Sequence, residues 1–415
     1  MKNQIIHTPE GVRDIYNVEC RKKLILQERL HDVLHLYGYQ DIQTPSFEFF
    51  EVFRKEIGTI ASKELYKFFD REGNTMALRP DITPSIARAA ATLYEGEELP
   101  IRLCYIGNTF INHSSYQGRL KETTQLGAEL IGVDSVDADA EMLAMVIDCL
   151  KKAGLEDFQL TIGNVEFFES LIQAGGFEEK IEEQVRDLIK NRNFFGIDEV
   201  FDHIEVSQNA KDAFAMLPSL IGTVEILEEA KKIAPDAKAA RGIRRLERIY
   251  KVLRAYGVEK YITFDLSMCG TYGYYTGIIF RAYTFGTGDA IVKGGRYDHL
   301  LEKFGKVSPS IGFAIVADEL MNALNRQKIE IPCEFSNFMI LYDEERRFEA
   351  IKLARKFRRN QKNTELIKKN PQKELEEYYE HGRQNLAGSM IYLGNEDKFL
   401  MMDLITGEEL MRSEN

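Results

Sequence analysis

The chain contains no tryptophan and only five cysteines in 415 residues. Cys20, Cys104, Cys149, Cys269 and Cys333 are scattered, odd in number and never spaced C-x-x-C. This suggests neither a disulfide frame nor a zinc site, so no metal is expected. No stretch approaches the about 20 continuous apolar residues of a membrane span. The opening MKNQIIHTPEGVRD lacks the basic start and apolar core of a signal peptide. A cytoplasmic protein without a membrane partner is the expectation. Basic residues are also in deficit: 54 Lys and Arg face 66 Asp and Glu, a formal net charge of −12. That balance argues against a large nucleic-acid footprint, which requires clustered cations. There is no G-x-x-x-x-G-K-[ST], no G-x-G-x-x-G opening a helix, no Ser/His/Asp order and no metal-ligand cluster. These patterns indicate no catalytic site, and no cofactor is expected.

What is present is ordinary globular material, 44% apolar and 29% charged, long enough for two or three domains. Apolar spacing predicts a helix over 18–37, stopped by Gly38. It predicts a hairpin over 65–78 turned at Glu72-Gly73-Asn74. Thr83 followed by Pro84 predicts a helix start, cap and then first turn. Strands are expected at 101–106, 125–132 and 158–163, with a helix at 135–153. Residues 164–257 are helix-periodic without a convincing strand and read as an insertion between sheet strands. Sheet signals resume at 261–266 and run through DLSMCGTYGYYTGIIFRAYTFGTGDAIVKGGRYD to about residue 323. Within that run Gly294-Gly295 reads as a sharp turn, a bulge or a close approach to a ligand, flanked by Arg296, Tyr297 and Asp298. The fold class is α+β, an antiparallel sheet with flanking helices. The core is expected over 1–325, a linker over 326–332, and a small α/β domain over 333–415.

The candidate site is Asp81, Gln125, Glu129, Tyr274 and Tyr275. If their strands share a sheet, they can project into one cleft. Two carboxylates suit an ammonium group; glutamine and tyrosine supply the donor and acceptor an imidazole wants. The same residues also read as a polar network satisfied within the sheet. His31 and His35, four apart on a helix, read as an ordinary helix face because no partner motif accompanies them.

TPEGVRD, LRPDITPSIAR, QLGAELIG, YYTGIIF, GGRYD and PSIGFA occur in this order. Together they resemble the class II histidyl-tRNA synthetase core over residues 1 to about 325, and the C-terminal segment looks like a shortened anticodon-binding domain. The resemblance places Asp81 and Thr83 at the histidine amino group and Gln125, Glu129, Tyr274 and Tyr275 around the amino acid. It also shows departures. Where the synthetases hold ATP with arginines, this chain has Ile111, Gly270 and Glu319, and where a ring stacks on adenine it has Thr123. Losing these contacts removes the cations that adenylation needs. A synthetase-like chain without them is similar to the regulatory subunits of ATP phosphoribosyltransferase. That resemblance implies a non-catalytic, homodimeric core and a short catalytic partner in a hetero-octamer. Histidine would be the feedback effector, in the first step of histidine biosynthesis. An active histidyl-tRNA synthetase, or a repurposed paralogue binding another amino acid, are the alternatives.

Overall fold

The computed structural model describes residues 6–54, 60–96, 100–113, 119–269, 273–335, 337–395 and 399–413. Gly270 falls outside them. The chain divides into two compact units: residues up to Arg13 with Leu26–Glu330, and Asp14–Ile25 with the residues from Ile331 onward.

Among the described residues the main sheet of the first unit has nine strands. Their order is Gln40–Asp41, Ile101–Phe110, Glu122–Ile131, Ser310–Val316, Val292–Arg296, Ile278–Thr284, Phe158–Asn164, Ile262–Asp265 and Ile221–Gly222. The strands from Ile101–Phe110 to Phe158–Asn164 pair antiparallel throughout. Gln40–Asp41 and Ile262–Asp265 join in parallel. The α+β class expected from the sequence is the class observed. The helix Val136–Ala153 shows why local sequence decides its ends. Ser135 accepts from the Ala138 N–H at its start, and Gly154 at φ 103° closes it. On the other side of the chain's core, the helix Thr83–Leu93 packs Ile86, Ala87 and Ala90 with Leu103, Tyr105, Tyr274 and Tyr297.

Three local expectations are corrected. Thr83 does not cap its helix: Ile82 occupies the cap position without a side-chain bond, and the Thr83 hydroxyl is used elsewhere. The helical insertion, Val165–Gly175 to Ala237–Tyr256, includes a strand, Ile221–Gly222, that pairs with Ile262–Asp265 at the sheet edge. Two residues are too short for a period-two pattern to show. Gly294-Gly295 is not a turn. Both lie in regular strand, opposite Phe280 and Ile279 on one side and Phe313 and Gly312 on the other. A Cβ on Gly294 would sit 2.4 Å from the Phe280 ring, and one on Gly295 2.7 Å from the Tyr275 ring. The glycines therefore admit rings against the backbone.

Arg296 then serves the fold. It is 1% exposed and its guanidinium meets Asp139 at 2.7 Å and Asp298 at 3.0 Å. Asp139 is wholly buried and also bonds Arg245 Nε at 2.6 Å. Removing one partner of such a group strands buried charge, at a cost of about 3–5 kcal/mol. Arg296→Met is expected to lower unfolding stability by about 3 kcal/mol in urea titration, because Arg245 remains. A loss under about 1 kcal/mol would show that Asp139 does not depend on it.

In the second unit a five-stranded sheet runs Thr364–Lys368, Asn337–Tyr342, Ala387–Leu393, Phe399–Asp403, Glu409–Ser413. Met339, Leu341 and Leu404 pack with Tyr378 of the helix Leu375–Gln384, while Ile340 and Ile391 pack with Ala350 and Ala354 of Arg347–Arg359. Glu409–Ser413 pairs antiparallel with Phe399–Asp403 at the edge of this sheet.

Candidate functional site

Strand pairing assembles the pocket. Glu129 on Glu122–Ile131 stands opposite Leu103 on one side and Gly312 on the other. Cross-strand partners share a face, so Glu129 projects toward the helix Thr83–Leu93. A Cβ on Gly312 would lie 1.5 Å from Glu129 Oε2; glycine is the residue that leaves room for the carboxylate. The Thr83 hydroxyl donates to Glu129 Oε1 at 2.8 Å and the Tyr297 hydroxyl to Oε2 at 2.5 Å. The Tyr274 hydroxyl donates to Asp81 Oδ2 at 2.8 Å. Tyr274 also packs against Tyr275 and Tyr297, with ring centroids 4.9 and 5.9 Å apart.

Asp81, Thr83, Gln125, Tyr274 and Tyr275 line one narrow cleft, partly open to solvent, with Tyr297, Lys293 and Gly312 among the other walls. Glu129 lies beneath, completely buried. All six sequence-derived residues are thus brought together. The structure adds Tyr297, Tyr105 and Gly312. Tyr105 is buried beside Glu129 and Thr83, and its hydroxyl has no partner at hydrogen-bond geometry. Gln125 Oε1 is likewise buried without a partner.

The electrostatics are those of a site short of positive charge. Burial pushes the Glu129 carboxyl up to about 8; the Tyr297 and Thr83 hydrogen bonds lower it, and the negative charge of Asp81 raises it again. Burial also raises Asp81, against the Tyr274 hydroxyl and the Thr83 and Ile82 N–H groups. Among the described residues no Lys or Arg offsets either carboxyl. Lys293 reaches the wall but is paired with Asp289 at 2.9 Å. The Tyr275 and Tyr297 phenols are raised by burial and by the neighbouring carboxylates, so they remain protonated donors. The pocket offers two carboxyls, an amide oxygen and phenols to a ligand carrying a cationic N–H cluster. It contains no thiol, imidazole or nucleophile–base pair among its lining residues.

The antiparallel sheet, its inserted helices and this pocket between sheet and helix define a class II synthetase-like core. A profile described as histidyl-tRNA synthetase matches residues 11–320. The ATP phosphoribosyltransferase regulatory subunit of Acetivibrio thermocellus is 40% identical over 354 residues, covering 85% of each chain. That of Ruminiclostridium cellulolyticum is 34% identical over 399 residues, 96% of this chain and 95% of the relative. A solved Bacillus halodurans structure, titled ATP phosphoribosyltransferase regulatory subunit/histidyl-tRNA synthetase, superposes with a TM-score of 0.84 at 32% identity, covering 95% of this chain and 100% of that one. Histidyl-tRNA synthetase from Nostoc sp. PCC 7120, 20% identical with a TM-score of 0.78 over 98% of this chain and 96% of that one, shares the fold. The chain belongs to the family of ATP phosphoribosyltransferase regulatory subunits. Among the described residues, no helix is long and apolar enough to cross a membrane.

Proposed function

We propose that this chain is a non-catalytic regulatory subunit that binds histidine in the Asp81–Glu129 pocket and conveys its occupancy to a short catalytic ATP phosphoribosyltransferase subunit. The observation that carries this reading is the buried pair of carboxyls, to which no Lys or Arg among the described residues is paired, beside an unpartnered Gln125 oxygen. An α-ammonium group supplies the missing charge. An imidazole N–H supplies the donor that Gln125 lacks.

In this reading, the positions where the synthetases hold ATP carry other side chains. Ile111 follows the strand Ile101–Phe110, its N–H bonded to the Lys121 carbonyl. Thr123 meets Thr109 through their hydroxyls at 3.1 Å. Glu319 stands in the first turn of Ala317–Arg326, where a negative charge favours the helix dipole and repels a phosphate. No step of adenylation is assigned to these groups.

Regulation follows from linkage. Histidine shifts the partner only by its difference in affinity for two states of the complex, typically about 1–3 kcal/mol, or 5- to 150-fold. The subunit would act as a homodimer within a hetero-octamer. Mixing the purified chain with the short catalytic subunit is expected to give co-elution, a gain in phosphoribosyltransferase activity and inhibition by histidine. The chain alone is expected to show no histidine-dependent ATP–pyrophosphate exchange. Exchange activity, or failure both to co-elute and to raise activity, would remove the proposal.

A further inference from the structure

His31 and His35 read in sequence as a helix face without partners, and folding supplies two. Gly38 at φ +80° ends the helix Asn17–Leu36 and turns the chain into Gln40–Asp41. That strand pairs in parallel with Ile101–Phe110, with Asp41 directly opposite Cys104. His35 Nε2 lies 3.1 Å from Asp41 Oδ2, and His31 Nε2 bonds Asp41 Oδ1. Cys104 Sγ is 3.5 Å from Asp41 Oδ1 and 3.9 Å from His31 Nε2. One ligand atom from each of the four residues lies within 4.8 Å of all the others.

Three of those separations, 3.1, 3.5 and 3.9 Å, lie close to the edges of a metal polyhedron. With bonds of about 2.0 Å to nitrogen or oxygen and about 2.3 Å to sulfur, a tetrahedral zinc ion holds neighbouring ligand atoms roughly 3.3–3.8 Å apart. Two imidazoles, a carboxylate and a thiolate suit a borderline-soft divalent ion rather than calcium or magnesium. The group is separate from the amino-acid pocket. Leu103 faces the same side of the sheet as Glu129, so Cys104, next along the strand, faces the opposite side. Access is also graded: Cys104 is wholly buried, while the His35 and Asp41 side chains are 42% and 60% exposed. An ion can enter from solvent and meet the thiol at the base.

We propose that His31, His35, Asp41 and Cys104 form a zinc-type divalent metal site that ties the end of the first helix and the edge strand to Ile101–Phe110. On binding, the Cys104 thiol releases its proton to solvent and coordinates as thiolate. The imidazoles coordinate as neutral bases through Nε2, and Asp41 gives one oxygen in place of its hydrogen bonds to them. The two anionic ligands match the ion's charge. An ion-pair cluster of Asp41 with the histidines alone leaves the thiol without a role.

The test is titration of the full chain with cobalt(II), then displacement by zinc(II). One cobalt per chain is expected, with the near-ultraviolet charge-transfer absorption of a thiolate–cobalt bond. Cys104→Ser should abolish that absorption, and His35→Ala should weaken zinc binding about a hundredfold, at the upper end of what even indirect ligand supports contribute. His35 is exposed, so its variant and Asp41→Asn keep the test open if Cys104→Ser fails to fold. Absence of the thiolate absorption in the wild type, or zinc affinity unchanged in His35→Ala and Asp41→Asn, would overturn the proposal.

Discussion

Replacing Glu129 by Gln is expected to weaken histidine binding about a hundredfold while making the fold more resistant to urea at alkaline pH. Both effects come from one buried charge. The carboxyl titrates near 8 in the folded chain against 4.5 for an ordinary glutamate, so the folded state holds its proton more tightly than the unfolded state. Stability from that proton is complete below about pH 4.5 and is lost as pH rises through about 8. Gln has no such loss. The advantage of the Gln chain should therefore grow by roughly 2–3 kcal/mol between pH 6 and pH 9. Urea midpoints at the two pH values measure it, and an advantage that does not change with pH would mean that Glu129 is not a desolvated acid. Binding moves the other way. The ligand ammonium requires the carboxylate, and losing a charged, buried hydrogen bond costs about 3 kcal/mol or a factor of about 10².

Gly312→Ala is expected to damage both stability and binding. The added Cβ would lie 1.5 Å from Glu129 Oε2, 2.4 Å from its Cδ and 2.8 Å from the Ala128 carbonyl oxygen. The strand cannot simply move aside, because it is paired on both edges, to Glu122–Ile131 and to Val292–Arg296. The carboxylate must leave the Thr83 and Tyr297 hydroxyls. Overpacking and stranded donors together cost about 3 kcal/mol. A double-mutant cycle isolates the cause. In a Glu129→Ala background the same Gly312→Ala change should cost less than half as much, the remainder coming from the Ala128 carbonyl. An equal cost in both backgrounds would place the damage in the backbone instead of the carboxylate.

The sheet is legible in the sequence because its strands carry long apolar runs separated by turn residues, as at Ile101–Phe110 and Ser310–Val316. Five pocket residues lay in motifs whose types alone suit an ammonium ligand, and the resemblance added Thr83. The sequence does not show register, and the rest depended on it. Tyr297 stands in GGRYD, but only the pairing of Val292–Arg296 with its neighbours aims it at Glu129. Tyr105 is hidden in an apolar strand, opposite Gly127 and two pairs along from Glu129. A usable signal did exist: Gly127 lies two residues before Glu129 in the same strand and Gly312 opposite it on the next, and glycine inside a strand marks a close approach. The His31–His35–Asp41–Cys104 cluster was illegible for the same reason, since a parallel pairing joins residues 63 apart in the chain.

The most direct test of the regulatory reading is calorimetric titration of the purified chain with histidine, alone and with the short catalytic subunit. Saturable binding to the chain alone is expected, at one site per chain, weakened about a hundredfold by Glu129→Gln and carried through to a matching loss of feedback inhibition in the complex. Binding that needs the catalytic subunit, or that Glu129→Gln leaves unchanged, would contradict it and move the effector site out of this pocket.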